Sequence, residues 1–161
     1  IKGDKPGKVT IIPKAKKISI AVSNGGMKVG DQPFDVKNVP APRYVAYVGN
    51  AAVDLRNGIK ANQIANLRFV AEPEANFKEE VPKDARYRIK RADIILGRGT
   101  NATQRMTANN ENPDLRSWAS QARPGDRIFF EAKDVVRRTY QDGEEKVNVV
   151  GSSGVISIQI N

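Results

Sequence analysis

Arg86-Tyr87-Arg88-Ile89-Lys90-Arg91-Ala92-Asp93-Ile94-Ile95-Leu96 is the stretch on which the fold turns. Tyr87, Ile89 and Arg91 recur at every second position, the period of a strand with one face covered. No other segment sustains that alternation for as long, so the longest element predicted is a strand. The pattern breaks at Ile94-Ile95-Leu96, where three apolar residues in a row predict a β-bulge. The Gly97-Arg98-Gly99-Thr100-Asn101 segment that follows reads as a loop between strands. It lacks the third glycine of a dinucleotide fingerprint and the Gly-Lys-Ser/Thr of a phosphate loop.

Downstream, one helix is expected. Asn112 is placed to cap it, Pro113 suits its first position, and Asp114 sits favourably on its dipole. Leu115, Trp118, Ala119 and Ala122 follow as one apolar stripe, which assigns Trp118 to the core before any partner. Arg123-Pro124-Gly125-Asp126 predicts a type II turn. Arg127-Ile128-Phe129-Phe130-Glu131 then opens a strand reaching Arg138. Asp142-Gly143 turns the chain, Val147-Asn148-Val149-Val150 answers, and Val155-Ile156-Ser157-Ile158-Gln159-Ile160 closes it as a β-branched strand.

Upstream, Leu67-Arg68-Phe69-Val70-Ala71 is a strand with Leu67, Phe69 and Ala71 on one side. Residues 73–84 are polar and read as a surface loop or edge excursion, and residues 59–66 as a helical turn or loop. Val53-Asp54-Leu55 is a short extended piece, and Tyr44-Val45-Ala46-Tyr47-Val48 a strand ended by Gly49-Asn50. Pro40-Ala41-Pro42 is a stiff connector without ladder donors. It separates residues 1–40, the end of a truncated β domain, from residues 41–161, a complete β-rich domain. In the first part four strands are expected: Val9-Thr10-Ile11-Ile12, Ile18-Ser19-Ile20-Ala21-Val22, Met27-Lys28-Val29-Gly30, and a last one from Pro33 to Val39. Asn24-Gly25 marks a hairpin, and Phe34, Val36 and Val39 are expected to face inward. The fold class is mainly β, with immunoglobulin-like or β-sandwich modules, the last carrying a short helix. A sandwich of that kind takes about seven strands, so the first part is expected to be the later half of a module. Its open edges invite pairing with a second copy, hence a homodimer.

The inventory of reactive groups is short. In 161 residues there is no His and no Cys, which removes Cys/His zinc sites, thiol nucleophiles and Ser-His-Asp triads. No catalytic, cofactor or metal residues are proposed. Glu79-Glu80 and Glu144-Glu145 are adjacent carboxylates, and neighbours on a strand face opposite ways, so neither makes a general acid/base couple. Asp142-Gly143-Glu144 lacks the alternating ligands of a calcium loop. A carboxylate-based glycosidase is the remaining enzymatic reading, and it needs two facing carboxylates in a cleft.

Charge narrows the partner. The net charge is +9, of which +5 lies in residues 1–40 and +4 in the remainder. All of the Arg residues fall after Pro42, and apolar residues interleave the basic clusters at strand spacing. Solvated strand faces are therefore preferred to nucleic-acid binding. A basic module for an anionic polymer, nucleic acid or glycan, is the rival reading. Arg137-Arg138-Thr139-Tyr140 and the Arg86–Arg91 strand are the best charged surfaces, with Arg137, Arg138 and Tyr140 as the candidate contact residues. No apolar stretch approaches the ~20 residues of a membrane span, and the sequence begins at Ile1, as expected of a piece of a longer protein.

The order of segments is more specific than any one of them. Asn38-Val39-Pro40-Ala41-Pro42 leads to Tyr47-Val48-Gly49 and the strand at 67–71. Tyr87-Arg88-Ile89-Lys90-Arg91 follows, then the helix ending in Arg123-Pro124-Gly125-Asp126-Arg127-Ile128-Phe129-Phe130-Glu131, and finally Asp142-Gly143 and a β-branched strand. This order resembles the C-terminal end of the GldM/PorM family, a component of the type IX secretion and gliding motor of Bacteroidetes. Gly7-Lys8-Val9-Thr10-Ile11-Ile12-Pro13 and Phe34-Asp35-Val36-Lys37 resemble the tail of that family's penultimate domain. The resemblance implies a periplasmic, dimeric rod of β-rich domains. It also implies a membrane helix that pairs with the GldL subunit in a proton-driven motor. The rod's distal end would meet the outer-membrane-associated GldK/GldN ring. It implies no catalytic residues.

Overall fold

The structure, a computed structural model, describes residues 11, 13, 15–149 and 151–161. Strand accounts for 51% and helix for 12%, so the protein is mostly β, and its sheets are antiparallel. Two compact units meet in sequence at Val39 and Pro40.

In the first unit β1 (Lys17–Asn24) and β2 (Met27–Asp35) form a hairpin. Gly25 and Gly26 carry φ of +58° and +86° at the turn, the two positive values that a type I′ connection requires. The two pieces expected at 27–30 and from Pro33 onward are a single strand, and Pro33 sits within it opposite Ser19. A strand paired on one side only tolerates proline. Ile18, Ile20, Val22 and Phe34 share one face. The other is polar, with Lys28 2.8 Å from Asp31, and the Ser19 hydroxyl donating to the same carboxylate. Phe34 and Val39 are exposed, contrary to expectation, and Val36 is half-buried. Two strands make no second layer, so nothing among the unit's described residues covers that face. The strand expected at 9–12 lies outside the described residues apart from Ile11.

The second unit is a sandwich of two sheets. β3 (Arg43–Val48) lies between β4 (Ala51–Ala52) and β5 (Leu67–Glu72), and a 3₁₀ turn, Ala61–Asn66, precedes β5. A short helix α1 (Ala75–Glu80) follows, then β6 (Arg86–Arg98) and β7 (Asn101–Ala108). The helix α2 (Arg116–Ala119) leads to β8 (Arg127–Arg138), β9 (Glu144–Val147) and β10 (Val155–Gln159). The larger sheet runs β10-β8-β6-β7, with β9 extending β10's side of β8. Leu67, Phe69 and Ala71 point into the core from β5, as their alternation predicts. Ile94 and Leu96 (β6), Ile128 and Phe130 (β8), and Ile156 and Ile158 (β10) face them. The rings of Phe69 and Phe130 stack with centroids 4.2 Å apart and join the two layers. Trp118 is buried in the same core.

Several expectations need correcting. Against β8, the bulge in β6 lies at Lys90 and Arg91: Ile89 pairs with Val135 and Ala92 with Ala132, leaving Lys90 and Lys133 unpaired in the ladder. The irregularity next to the expected 94–96 is in the pairing with β7, where the register shifts between Leu96 and Gly97 and Thr103 is the extra residue. The slip turns Arg91 outward and Ala92 inward, so Ala92, Ile94 and Leu96 continue the buried row. Residues 73–84 contain α1, built of good helix formers and ended before Pro82. The helix α2 starts late and Asn112 does not cap it. Asp114 Oδ1 instead accepts the backbone N–H of Arg116 at 3.2 Å, a turn that delays the helix. The strand beside β3 is Ala51–Ala52, one step ahead of the extended piece expected at 53–55, of which Val53 still donates its N–H to Ala46 O at 2.8 Å. β9 starts ahead of the segment expected at 147–150 and shares only Val147 with it, and the last residue of that segment is outside the described ones.

The end of β10 is bonded on two sides. Ile59 N–H donates to Gln159 O and Asn161 N–H to Ile59 O, both at 2.9 Å, making a parallel bridge between Ile59 and Ile160. On the other side, Ile160 N–H donates to Asp126 O and Gly125 N–H to Ile160 O, both at 2.8 Å. Gly58, at φ +66°, permits this approach, since a Cβ there would collide with the Gln159 carbonyl.

Candidate docking surface

Arg137 faces inward from β8 and is 8% exposed. Its guanidinium donates to Asp84 Oδ1 at 3.0 Å and to Glu145 Oε2 at 2.5 Å. Asp84 also accepts the backbone N–H of Tyr140. Arg138, the next residue on the strand, points the other way and pairs with Asp142 at 3.0 Å. Arg86 meets the same Asp142 carboxylate at 3.2 Å and donates to Thr139 O at 2.8 Å. Glu144, across from Arg138, pairs with Lys90 at 2.9 Å, and that contact holds its carboxyl below the usual range. The cluster is therefore internally neutralised, and its geometry ties the β8–β9 turn to the loop before β6.

A second node closes the other end of β6. Arg98 donates twice to Asp126, Nε to Oδ1 and Nη2 to Oδ2, each at 2.8 Å. Asp126 is 1% exposed and also accepts the Arg123 N–H at 2.9 Å across the Pro124-Gly125 turn. The Arg98 guanidinium holds its carboxyl below the usual range. On the smaller sheet the Tyr47 hydroxyl donates to Glu72, which Arg43 meets at 2.8 Å, and Arg68 lies over the Tyr47 ring at 4.9 Å. Tyr47, then Arg43, lower the Glu72 carboxyl.

These carboxylates suit structure better than catalysis. Asp31, Glu72, Asp114, Asp126 and Glu144 are all displaced downward, Asp114 to about 2 beside Arg116. A glycosidase general acid needs a carboxyl pushed up. Among the described residues no group of His, Cys, Asp or Glu is arranged to hold a metal ion.

The outward face of the larger sheet differs. Phe129 on β8 points away from the core and is 37% exposed; Ile95 on β6 is its cross-strand partner. Its ring lies beside Gly97, where a Cβ would come within 3.1 Å of ring atom Cε2. Arg105 is the cross-strand partner of Ile95, and Arg127 that of Gly97. In the next row Lys133 is held by Glu131 at 2.5 Å and lies 3.9 Å from Asp93. A shallow groove of about 600 Å³ runs there, lined by Ile95, Arg105, Thr107 and Lys133 among others.

Residues 40–161 match the family model of the GldM C-terminal domain. The chain belongs to that family. No curated protein and no solved structure matches it. The GldM family is a gliding and type IX secretion component, structural rather than a known enzyme family. Its domain is a periplasmic part of a membrane-anchored protein. No helix among the described residues is long and apolar enough to cross a membrane.

Within this GldM C-terminal domain the three residues picked from the sequence do not share one surface. Arg137 is committed to ion pairs inside, while Arg138 and Tyr140 are exposed. Two features escaped the sequence reading. The Arg98–Asp126 pair carried a weak signal, a carboxylate at the last position of the type II turn. Phe129 carried a stronger one: Phe129 and Phe130 are consecutive on a strand, so only one of the two can face the core.

Proposed function

We propose that the chain is a non-enzymatic coupling domain of the type IX secretion and gliding motor. It works in the periplasm as part of an inner-membrane-anchored rod. There it links the proton-driven motor, through a GldL-type subunit at the membrane helix, to the GldK/GldN-type ring under the outer membrane. A second copy completes a homodimeric rod. The observation that carries this reading is the family match over residues 40–161.

The hydrogen bonding of β3 supports a mechanical role. β3 enters the unit from Pro40 and is paired on both sides, with β5 along its whole length. Tyr87 donates its hydroxyl to Pro40 O at 2.6 Å just ahead of it. A pull applied at Pro40 runs along the strand and loads the whole β3–β5 ladder in shear, so several bonds must fail together.

Co-purification with GldK- and GldN-type proteins across a salt series tests the reading. Binding that persists at moderate salt is expected, and no binding at any ionic strength removes the docking role. If the chain instead retains an anionic polymer, with affinity falling along the counterion-release slope, the rival reading takes its place.

A further inference from the structure

We propose that the outward face of the larger sheet, centred on Phe129, docks a protein segment that is acidic and carries an apolar side chain. The proposal deepens the coupling reading above by naming the surface and the chemistry of its partner.

Three observations converge on this face. Phe129 lies on β8, which has β6 on one side and β9 and β10 on the other, so the exposed aromatic sits inside the sheet and not at its rim. Its ring is set in place: Gly97 leaves the room it occupies, and Ile95 stands opposite it on β6. An aromatic covering a cross-strand glycine is a known way of steadying a sheet, and steadying alone accounts for the ring.

It does not account for the charges around the ring. Arg105 and Arg127 flank the Ile95–Phe129 pair, and neither meets a carboxylate among the described residues. Arg127 reaches only the neutral Ser157 Oγ at 3.3 Å and Gln159 Oε1 at 3.4 Å. One row away, Lys133 has Glu131 at 2.5 Å. Six of the unit's other eleven arginines are ion-paired: Arg43 with Glu72, Arg86 and Arg138 with Asp142, Arg98 with Asp126, Arg116 with Asp114, and Arg137 with Asp84 and Glu145. What sets Arg105 and Arg127 apart is their place beside an exposed aromatic. A fixed aromatic with two unneutralised guanidinium groups beside it has the composition of an interface hot spot. Carboxylates on the partner supply what the unit lacks, and an apolar side chain between them covers Phe129 and Ile95. Electrostatic complementarity of this kind sets partner choice and encounter rate.

Photo-crosslinking tests the proposal in the full-length protein in its own cells, with benzoyl-phenylalanine replacing Phe129 and, as a control, Lys146. Position 129 is expected to yield a crosslink to one protein segment in which Asp or Glu residues flank an apolar one, and position 146 is not. Introducing Arg105→Glu with Arg127→Glu should lower that yield roughly tenfold or more, while the thermal midpoint of the purified protein stays unchanged. Should the reversal lower the midpoint, Arg105→Gln with Arg127→Gln replaces it and must still reduce the yield. No crosslink from position 129, a crosslink to glycan or nucleic acid, a partner segment without carboxylates, or a yield indifferent to both substitutions each overturns the proposal. Ring proteins that co-purify without contacting position 129 leave the coupling role intact and remove this surface. A crosslinked acidic segment from some other protein does the reverse.

Discussion

Asp126 is a buried carboxylate whose charge is met by one guanidinium and one backbone N–H. Removing one partner of a buried pair leaves an uncompensated charge and costs about 3–5 kcal/mol. Here Arg98 is partly open to water and the Arg123 N–H remains, so Arg98→Ala is expected to lose about 2 kcal/mol, read as a lower urea midpoint. The same contact has a pH signature. Because the folded-state carboxyl is depressed, its contribution is complete above the unfolded value of about 3.9 and is lost as pH falls through the lower folded value. Asp126→Asn should flatten the acid limb of the stability profile, and an unchanged limb would show that the contact is not the source. At the core, Phe130→Ala removes one half of the stack with Phe69 and is expected to cost about 3–5 kcal/mol, measured by chemical unfolding.

Among the elements, the strands were legible because alternation is written directly into β5 and the first half of β6, and dense β-branching into β10. The bulge of β6 was not, since the residues it displaces are lysines, Lys90 and Lys133, whose long stems suit either face. Nor were the ion pairs, because Arg137 and Asp84 lie 53 positions apart and only the register of β6 on β8 brings them together. Helix α2 was foreseen from Pro113 to Ala122 and spans only Arg116–Ala119, because its apolar stripe continues into turns that the stripe alone does not distinguish from helix. The turns make a sharp comparison. Gly49 (φ +60°) has open space where a Cβ would stand, whereas Gly58 (φ +66°) faces the Gln159 carbonyl. Gly49→Asn is therefore expected to be nearly neutral, since Asn adopts this conformation readily. Gly58→Ala should cost about 1–3 kcal/mol and open the Ile59–Ile160 bridge, seen as faster amide exchange at Ile59 and Asn161.

For the whole molecule, the boundary at Val39 and Pro40 makes a clear demand. Residues 40–161 have their own core and should unfold in one cooperative step, with the Trp118 fluorescence change coinciding with loss of far-UV dichroism. Two non-coincident transitions would contradict it. An excised hairpin of residues 15–39, two strands with one face open, is expected to be unfolded. The doubly bonded end of β10 also governs when the larger unit can form. Asn57 and Asn161 lie 104 positions apart yet touch, and β10, which leads to Asn161, is the last strand of the unit to be made. A ribosome working from the amino end therefore releases β3 through β9 before the piece that closes their sheets has emerged. Until then the nascent segment stays open and can still be threaded, and closure follows its arrival as a single late event.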